Sequence, residues 1–410
     1  MRAGRPVTER LTSYQRRLFV FLSVATFFEG YDFLALTQIL PNLRADLGLD
    51  KAVAGYLVGF INFGTVVAYL LVRRADRLGR KRVLTVTIAG YTIFTTLTGL
   101  SPNVWAFAAF QMIARIFLIG EWATSTVMAA EEYPAARRGM VIGVISAFSS
   151  LGAVTCAGVV PLLLKTPFGW RSVYFVGVIP LIVLAFARRN LRETRRFSEQ
   201  VTSHIAKPFT AIFRSPYRKR MLQMGLIWFL TYICTQNGVT FWKEFAVSER
   251  GMTDSDVGKA ITIAALVSMP LVFFAGKLLD LIGRRMGAVV IFGLASVGIF
   301  GCYTLHGQWP LTLTLVFAIF GASAVLPVLN AYNAELFPTE LRGDAFAWSN
   351  NLIGRIGYVL SPVAVGYAAG HVGWGPAVRV TAIFPILAVI LILWLLPETR
   401  SRELEETAVV

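Results

Sequence analysis

Residues 21–40 read "FLSVATFFEGYDFLALTQIL". The run is apolar except for a few polar residues, two of them acids near its middle, Glu29 and Asp32. About 20 apolar residues is the length a helix needs to cross the hydrocarbon core of a bilayer. A carboxylate facing lipid is costly there, so both acids must face protein or a wet cavity. The stretch therefore predicts a membrane helix whose inner side carries function.

The rest of the chain agrees. Its 410 residues are 56% hydrophobic and only 15% charged, too apolar for a soluble protein of this length. Twelve spans follow from the length rule: 17–40, 52–72, 83–101, 104–130, 139–164, 172–187, 221–246, 255–278, 287–305, 310–334, 344–369 and 377–396. The runs are continuous rather than alternating, which excludes barrel strands. The expected fold class is an all-α membrane protein with twelve transmembrane helices. Residues 1–17 are basic, but the apolar run behind them is too long for the core of a secretory leader, so it reads as the first span. Cys156, Cys234 and Cys302 fall inside spans, and His204, His306 and His371 read as loop residues far apart. Neither set has disulfide or metal-ligand spacing, so no metal or cofactor is expected.

Net charge is +16. With the N-terminus placed inside, 29 of the 39 lysines and arginines fall on that side and eight on the other. That bias places both termini and the central loop in the cytoplasm of a multi-pass protein of the plasma or inner membrane. It also accounts for the basic charge without nucleic acid. A monomer is expected.

The long polar interruption at 188–220 divides six spans from six. Units of 1–187 and 221–410 result, with a cytoplasmic loop between them. "EEYPAARRG" (131–139) and "ELFPTELRG" (335–343) match at an offset of 204, as do Asp76 and Asp280, and Gly169-Trp170 and Gly373-Trp374. "LRETR" (191–195) and "LPETR" (396–400) are shifted by one more. One offset at several separated places marks two pseudo-symmetric six-helix bundles. Parallel repeats of this kind place a ligand site at their interface, near the bilayer midplane.

"RADRLGRKRVL" (74–84) and "GKLLDLIGRRM" (276–286) resemble the signature loops of the major facilitator superfamily. The "EEYPAARRG", "LRETR", "PTELRG" and "PETR" segments resemble its sugar-porter, organic-ion and aromatic-acid branches. The resemblance implies two bundles that rock about a central site. It also implies a conformational latch of Asp76, Arg77, Gly79, Arg80, Glu131 and Arg138 in the first half, and of Gly276, Asp280, Gly283, Arg284, Glu335 and Arg342 in the second. Each aspartate would cap a helix of the other half, beginning near Gly343 for Asp76 and Gly139 for Asp280. Gly79 and Gly283 would permit tight turns. The family's glycine four residues before the aspartate is present as Gly276 but replaced by Val72 in the first half.

Five charges lie well inside spans, away from their ends. "EGYD" (29–32) resembles the paired-acid motif of aromatic-acid:proton symporters, which makes Glu29 and Asp32 candidate proton-coupling groups, with Glu121 in "GEW" a further one. Arg115 and Arg355 are candidate anion-binding groups, since a guanidinium stays charged and grips a carboxylate through two N–H donors. "GRIGYVLSP" (354–362) resembles the corresponding segment of aromatic-acid and organic-anion carriers. Counting from "EEYP", the family's span-four arginine falls at Gln111, one turn before Arg115. In "TYICTQNGVTFWKEF" (231–245), Gln236 and Asn237 form a polar break suited to binding, and Lys243 and Glu244 read as a local pair. Tyr31, Trp348 and Tyr358 are candidate aromatic walls.

The expected function is proton-coupled symport of a small organic anion, a carboxylate, with aromatic acids among the candidates and protons as the only coupling ion. An efflux antiporter or a sugar or metabolite porter has the same architecture. A non-transporting membrane sensor would need a signalling domain, which "SRELEETAVV" (401–410) does not offer. No catalytic triad, metal cluster or phosphate loop is written in the chain, so an enzyme or an ATP-driven pump is not expected.

Overall fold

Thr12 opens the first helix with a reciprocal cap. Its hydroxyl accepts from the Gln15 backbone, and the Gln15 side chain accepts from the Thr12 backbone. Helix α1 then runs Ser13–Leu47 and stops at Gly48 in the left-handed conformation. It exceeds the expected 17–40 at both ends. The computed structural model of the protein describes residues 11–179 and 210–400; within these, the side chains of 70–78, 135, 136, 138, 139, 211 and 339 are not described.

Helices α2 (Lys51–Leu78), α3 (Arg80–Gly99), α4 (Val104–Glu132) and α5 (Ala135–Leu163) follow. Asp50 and Asn103 cap α2 and α4, and Pro134 precedes α5. The short α6 (Arg171–Phe175) opens the sixth span, most of which lies outside the described residues. In the second half α7 is Arg218–Thr240, α8 Trp242–Ser248, α9 Asp254–Ile282, α10 Arg284–Cys302, α11 Gln308–Glu335 and α12 Thr339–Phe346. A π-helical segment, Ala347–Gly354, joins α12 to α13 (Arg355–Val372). Helices α14 (Trp374–Arg379) and α15 (Ile383–Leu395) complete the last span. The architecture is all-α, and among the described residues nine helical stretches are long and apolar enough to cross a membrane.

Three local expectations are revised. The second half starts before 221, because α7 begins at Arg218 and Ile212 is already fully buried in that half's core. His371 sits in the last turn of α13 rather than in a loop. The polar step at Gln236–Gly238 stays helical, and the helix breaks at Phe241 instead.

The internal repeat appears as geometry. Gly79 and Gly283 separate consecutive helices at φ 86° and 90°, a backbone region open mainly to glycine. Arg80 pairs with Glu131 at 3.1 Å and Arg284 with Glu335 at 2.8 Å, two bridges related by the same offset of 204. Each bridge ties loops of its own half. Asp280, whose side chain is 74% exposed, pairs with Arg284 at 3.0 Å rather than capping a helix of the first half. A side chain at Gly276 would meet nothing within 4 Å, so no close packing depends on that glycine here. Arg342 donates to the Phe337 carbonyl at 3.3 Å. The side chains of Asp76, Arg77 and Arg138 lie outside the described set.

The halves meet at the end of the bundle away from the chain termini. An apolar core there joins Leu40, Leu43 and Ile61 to Phe241, Trp242, Val365 and Trp374. Helices α2 and α13 touch backbone to backbone: a Cβ on Gly55 would lie 2.4 Å from the Pro362 carbonyl oxygen. Arg44 pairs with Glu244 across the halves, and Lys51 with Glu249 at 3.0 Å. Lys243 does not pair with its neighbour Glu244; it reaches Asp254 at 2.6 Å. Asp254 also receives Asn42 of the first half at 3.5 Å.

Candidate functional site

Between this seal and the terminal end lies a cavity of about 460 Å³, lined from both halves. That is within the usual range for a small-molecule site. Helices α1, α2, α4 and α5 contribute from one side, and α7, α8, α9, α11 and α13 from the other. Its walls are mostly apolar. The ionisable side chains that line it with a formal charge are Glu29, Arg115 and Arg355.

Glu29 is positioned by close helix packing. A Cβ on the adjacent Gly30 would lie 1.9 Å from the Ser149 carbonyl oxygen, so α1 and α5 touch directly there. That approach brings the Ser149 hydroxyl to donate to Glu29 Oε2 at 2.8 Å. Asp32, one turn on, points elsewhere. It is buried off the cavity, and its Oδ1 accepts from Thr95 of α3 at 3.4 Å while its Oδ2 finds no protein partner. Glu121 is fully buried, held by Ser125 at 2.7 Å and also off the cavity.

Arg115 projects from α4 and is only 3% exposed. Its guanidinium lies over the Phe33 ring, 4.7 Å from the centroid. Among the described residues its Nε and Nη1 find no hydrogen-bond acceptor, and no carboxylate lies within ion-pair distance. Arg355 follows directly on the π-helical segment, a feature common at functional sites. It lies over Tyr358 at 4.8 Å and Tyr232 at 5.2 Å, and its Nε also lacks an acceptor. Asn350, within the π-helical segment, fixes the Tyr232 ring by accepting from its hydroxyl at 2.8 Å. Taking a guanidinium out of water without an anion is expensive. Two such groups facing one chamber are therefore poised for anionic ligands.

Of the other expected binding residues, Gln236 and Tyr358 line the cavity. Gln111, Tyr31, Asn237 and Trp348 do not. Gln111 is fully buried within the first half, and the Tyr31 hydroxyl donates to the Val173 carbonyl. Asn237 donates to Ser361, and Trp348 packs edge-on against Phe213. The structure adds residues that the sequence reading did not single out. Gln38 lines the cavity, is fully buried, and neither amide atom has a protein partner. Asn62 donates to the Tyr358 carbonyl, linking α2 to α13 at the cavity wall. A buried amide in a span is a weak signal, but it is the one that pointed to Gln236.

A family model described as Major Facilitator Superfamily matches residues 22–253 and 239–409. A putative metabolite transport protein of Haemophilus influenzae is 28% identical over 419 residues, covering 97% of this chain and 100% of its own length. A cis,cis-muconate transport protein of Acinetobacter baylyi is 27% identical, covering 89% of this chain and 91% of its own. Among solved structures, a D-xylose-proton symporter superposes with a TM-score of 0.74 over 94% of this chain and 99% of its own, at 17% identity, a likeness of fold.

Proposed function

The chain belongs to the Major Facilitator Superfamily and is a multi-pass membrane transport protein rather than an enzyme; from that premise we propose that it carries a small organic anion together with protons by alternating access. The observation that carries this reading is the cavity itself. Among the described residues it presents two guanidinium groups without carboxylate ion-pair partners, and one carboxyl, Glu29, contributed by the half opposite Arg355. Organic-acid carriage by a relative, the muconate transport protein, points the same way.

In this reading Arg355 and Arg115 bind the anion. Glu29 loads and releases a proton at the cavity surface, and Asp32 does so behind it. Glu121 has a structural role or takes a further proton. Anion and proton loaded together add no net charge; the anion pairs a guanidinium and the proton neutralises Glu29, so fewer unpaired charges remain and occlusion costs less. The halves then exchange which end is sealed. With the termini cytoplasmic, the end sealed by Arg44, Lys51, Glu244 and Glu249 faces outward. The loop bridges Arg80–Glu131 and Arg284–Glu335 would stabilise the cytoplasmic ends of the two halves. No cofactor or nucleotide takes part, and the carrier works as a monomer.

The test is reconstitution into liposomes with an imposed pH gradient and a panel of labelled benzoates, aliphatic acids, sugars and cations. Arg355→Ala is expected to abolish anion uptake. Asp32→Asn is expected to lose gradient-driven accumulation while keeping substrate exchange. Uptake of sugars or cations but not of acids would refute anion carriage. Unchanged pH-driven accumulation in both Asp32→Asn and Glu29→Gln would refute the coupling role.

A further inference from the structure

We propose that the carried anion is a dicarboxylate, with one carboxylate held at Arg115 and the other at Arg355. This deepens the reading above and rests on it. The charge balance of the cavity wall is the first argument. Two guanidinium groups line it against one carboxylate, Glu29, which is already engaged by Ser149. With Glu29 ionised the wall carries one net positive charge, and with Glu29 protonated it carries two. A monocarboxylate pairs one arginine and leaves the other without an anion.

The second argument is orientation. Both arginines lie over rings, Arg115 over Phe33 and Arg355 over Tyr232 and Tyr358. A ring face attracts the cation without accepting its hydrogen bonds in the plane of the guanidinium, so the N–H donors still call for a carboxylate. Rings beside both arginines also favour a planar skeleton, unsaturated or aromatic, between the two carboxylates. The third argument is position. Arg115 belongs to the first half and Arg355 to the second, so a dianion bridges the two halves while a monoanion on one arginine does not. Bridging supplies the differential interaction that couples loading to rocking.

The experiment compares matched pairs in proteoliposomes near neutral pH with an imposed pH gradient. The probes are terephthalate, its monomethyl ester and benzoate, and in parallel trans,trans-muconate and sorbate. The dicarboxylates are expected to compete for uptake at least about tenfold better than their single-carboxylate partners. Arg115→Gln is expected to erase that preference, weakening the dicarboxylate by about tenfold or more and the monoester by much less. Arg115→Lys retains charge without the fork and is expected to recover part of the preference. Thermal unfolding of each purified variant shows that it is folded, and the wild-type comparison needs no variant. Equal or better uptake of the single-carboxylate partners overturns the dicarboxylate assignment and leaves organic-anion carriage standing. Failure of every carboxylate to accumulate or compete overturns both.

Discussion

Lys243 has no exposed side-chain surface, yet it sits where the two halves meet. Its ammonium reaches Asp254 at 2.6 Å, and Asp254 keeps about a third of its side chain exposed. Removing one partner of a buried pair leaves an uncompensated charge, at a typical cost of about 3 kcal/mol. Asp254→Asn is therefore expected to lower the unfolding temperature in detergent markedly. The apolar double variant Lys243→Met with Asp254→Leu is expected to recover much of that loss, because it buries no charge. A double-mutant cycle of thermal unfolding checks both, and additive effects would show that the pair is not coupled. The same residue explains what the sequence leaves unread. Lys243 and Glu244 are adjacent, and adjacency suggests a pair. Neighbours on a helix point about 100° apart, so each finds a different partner, Asp254 for one and Arg44 for the other. Glu29, Arg115 and Arg355 are legible as charges inside apolar runs, because burial alone makes such residues functional candidates. Gln111, Tyr31, Asn237 and Trp348 have the right character and depth. Which neighbour covers each of them depends on packing between helices, which a single helix does not encode.

The "PETR" segment has a clear task at the level of elements. Glu398 accepts from the backbone N–H groups of Arg284 and Arg285, both at 2.9 Å, at the first turn of α10. Four N–H groups at a helix start have no partner within the helix, and a carboxylate there also meets the positive end of the dipole. Burial pushes the Glu398 carboxyl up, but the N–H groups of Arg285, Arg284, Arg400 and Thr399 outweigh it and hold it below its ordinary value of 4.5. A lowered value means that the cap contributes fully above pH 4.5 and is lost as pH falls through the folded-state value. Glu398→Gln is expected to cost about 1 kcal/mol at neutral pH. The gap in unfolding temperature between wild type and variant should close in strong acid and nowhere higher. A gap that persists undiminished there would mean that the cap does not depend on ionisation. The motif can be recognised in sequence as a repeat, but its cap cannot. Residues 284 and 398 are separated by four spans, and only their packing shows that the tail of the last span folds back on the turn at Gly283. The interruptions of the spans are also of this kind. Gln236–Gly238 looks like a break and remains helical, while the π-helical segment before Arg355 has no proline to announce it.

At the scale of the whole molecule, the two halves are the most legible feature, because the offset of 204 that relates the loop motifs also relates Arg80–Glu131 to Arg284–Glu335. How the halves sit against each other is not legible. The contacts that decide it, Arg44 with Glu244, Lys51 with Glu249 and Gly55 with Gly366, join residues about 200 or more positions apart and follow no repeat. In the proposed alternating-access cycle such contacts hold one of two arrangements, so weakening them should shift the population rather than unfold the protein. Glu249 is central, since it takes Lys51 and the backbone N–H groups of Trp374 and Gly375. Burial raises its carboxyl, but the Gly375 and Trp374 donors and Lys51 prevail and hold it below 4.5. The sign is again that of a depressed acid: the seal keeps its charge through mild acidification and loses it only below the ordinary glutamate range. Gln38 lies beneath this seal and lines the cavity, whereas the buried native cysteines 156, 234 and 302 do not line it, so a cysteine at position 38 gives a selective reporter. Gly55→Leu forces α2 away from α13, where the backbones leave no room for a side chain. In sealed vesicles of known orientation, Gln38→Cys is expected to react slowly with a membrane-impermeant maleimide from the side away from the termini. Adding Gly55→Leu or Glu249→Gln is expected to raise that rate several-fold, roughly in proportion to the shift of about 1 kcal/mol that a lost charge-assisted contact brings. An unchanged rate in both backgrounds would mean that the seal lies elsewhere, and that these contacts only fasten two halves which do not separate at this end.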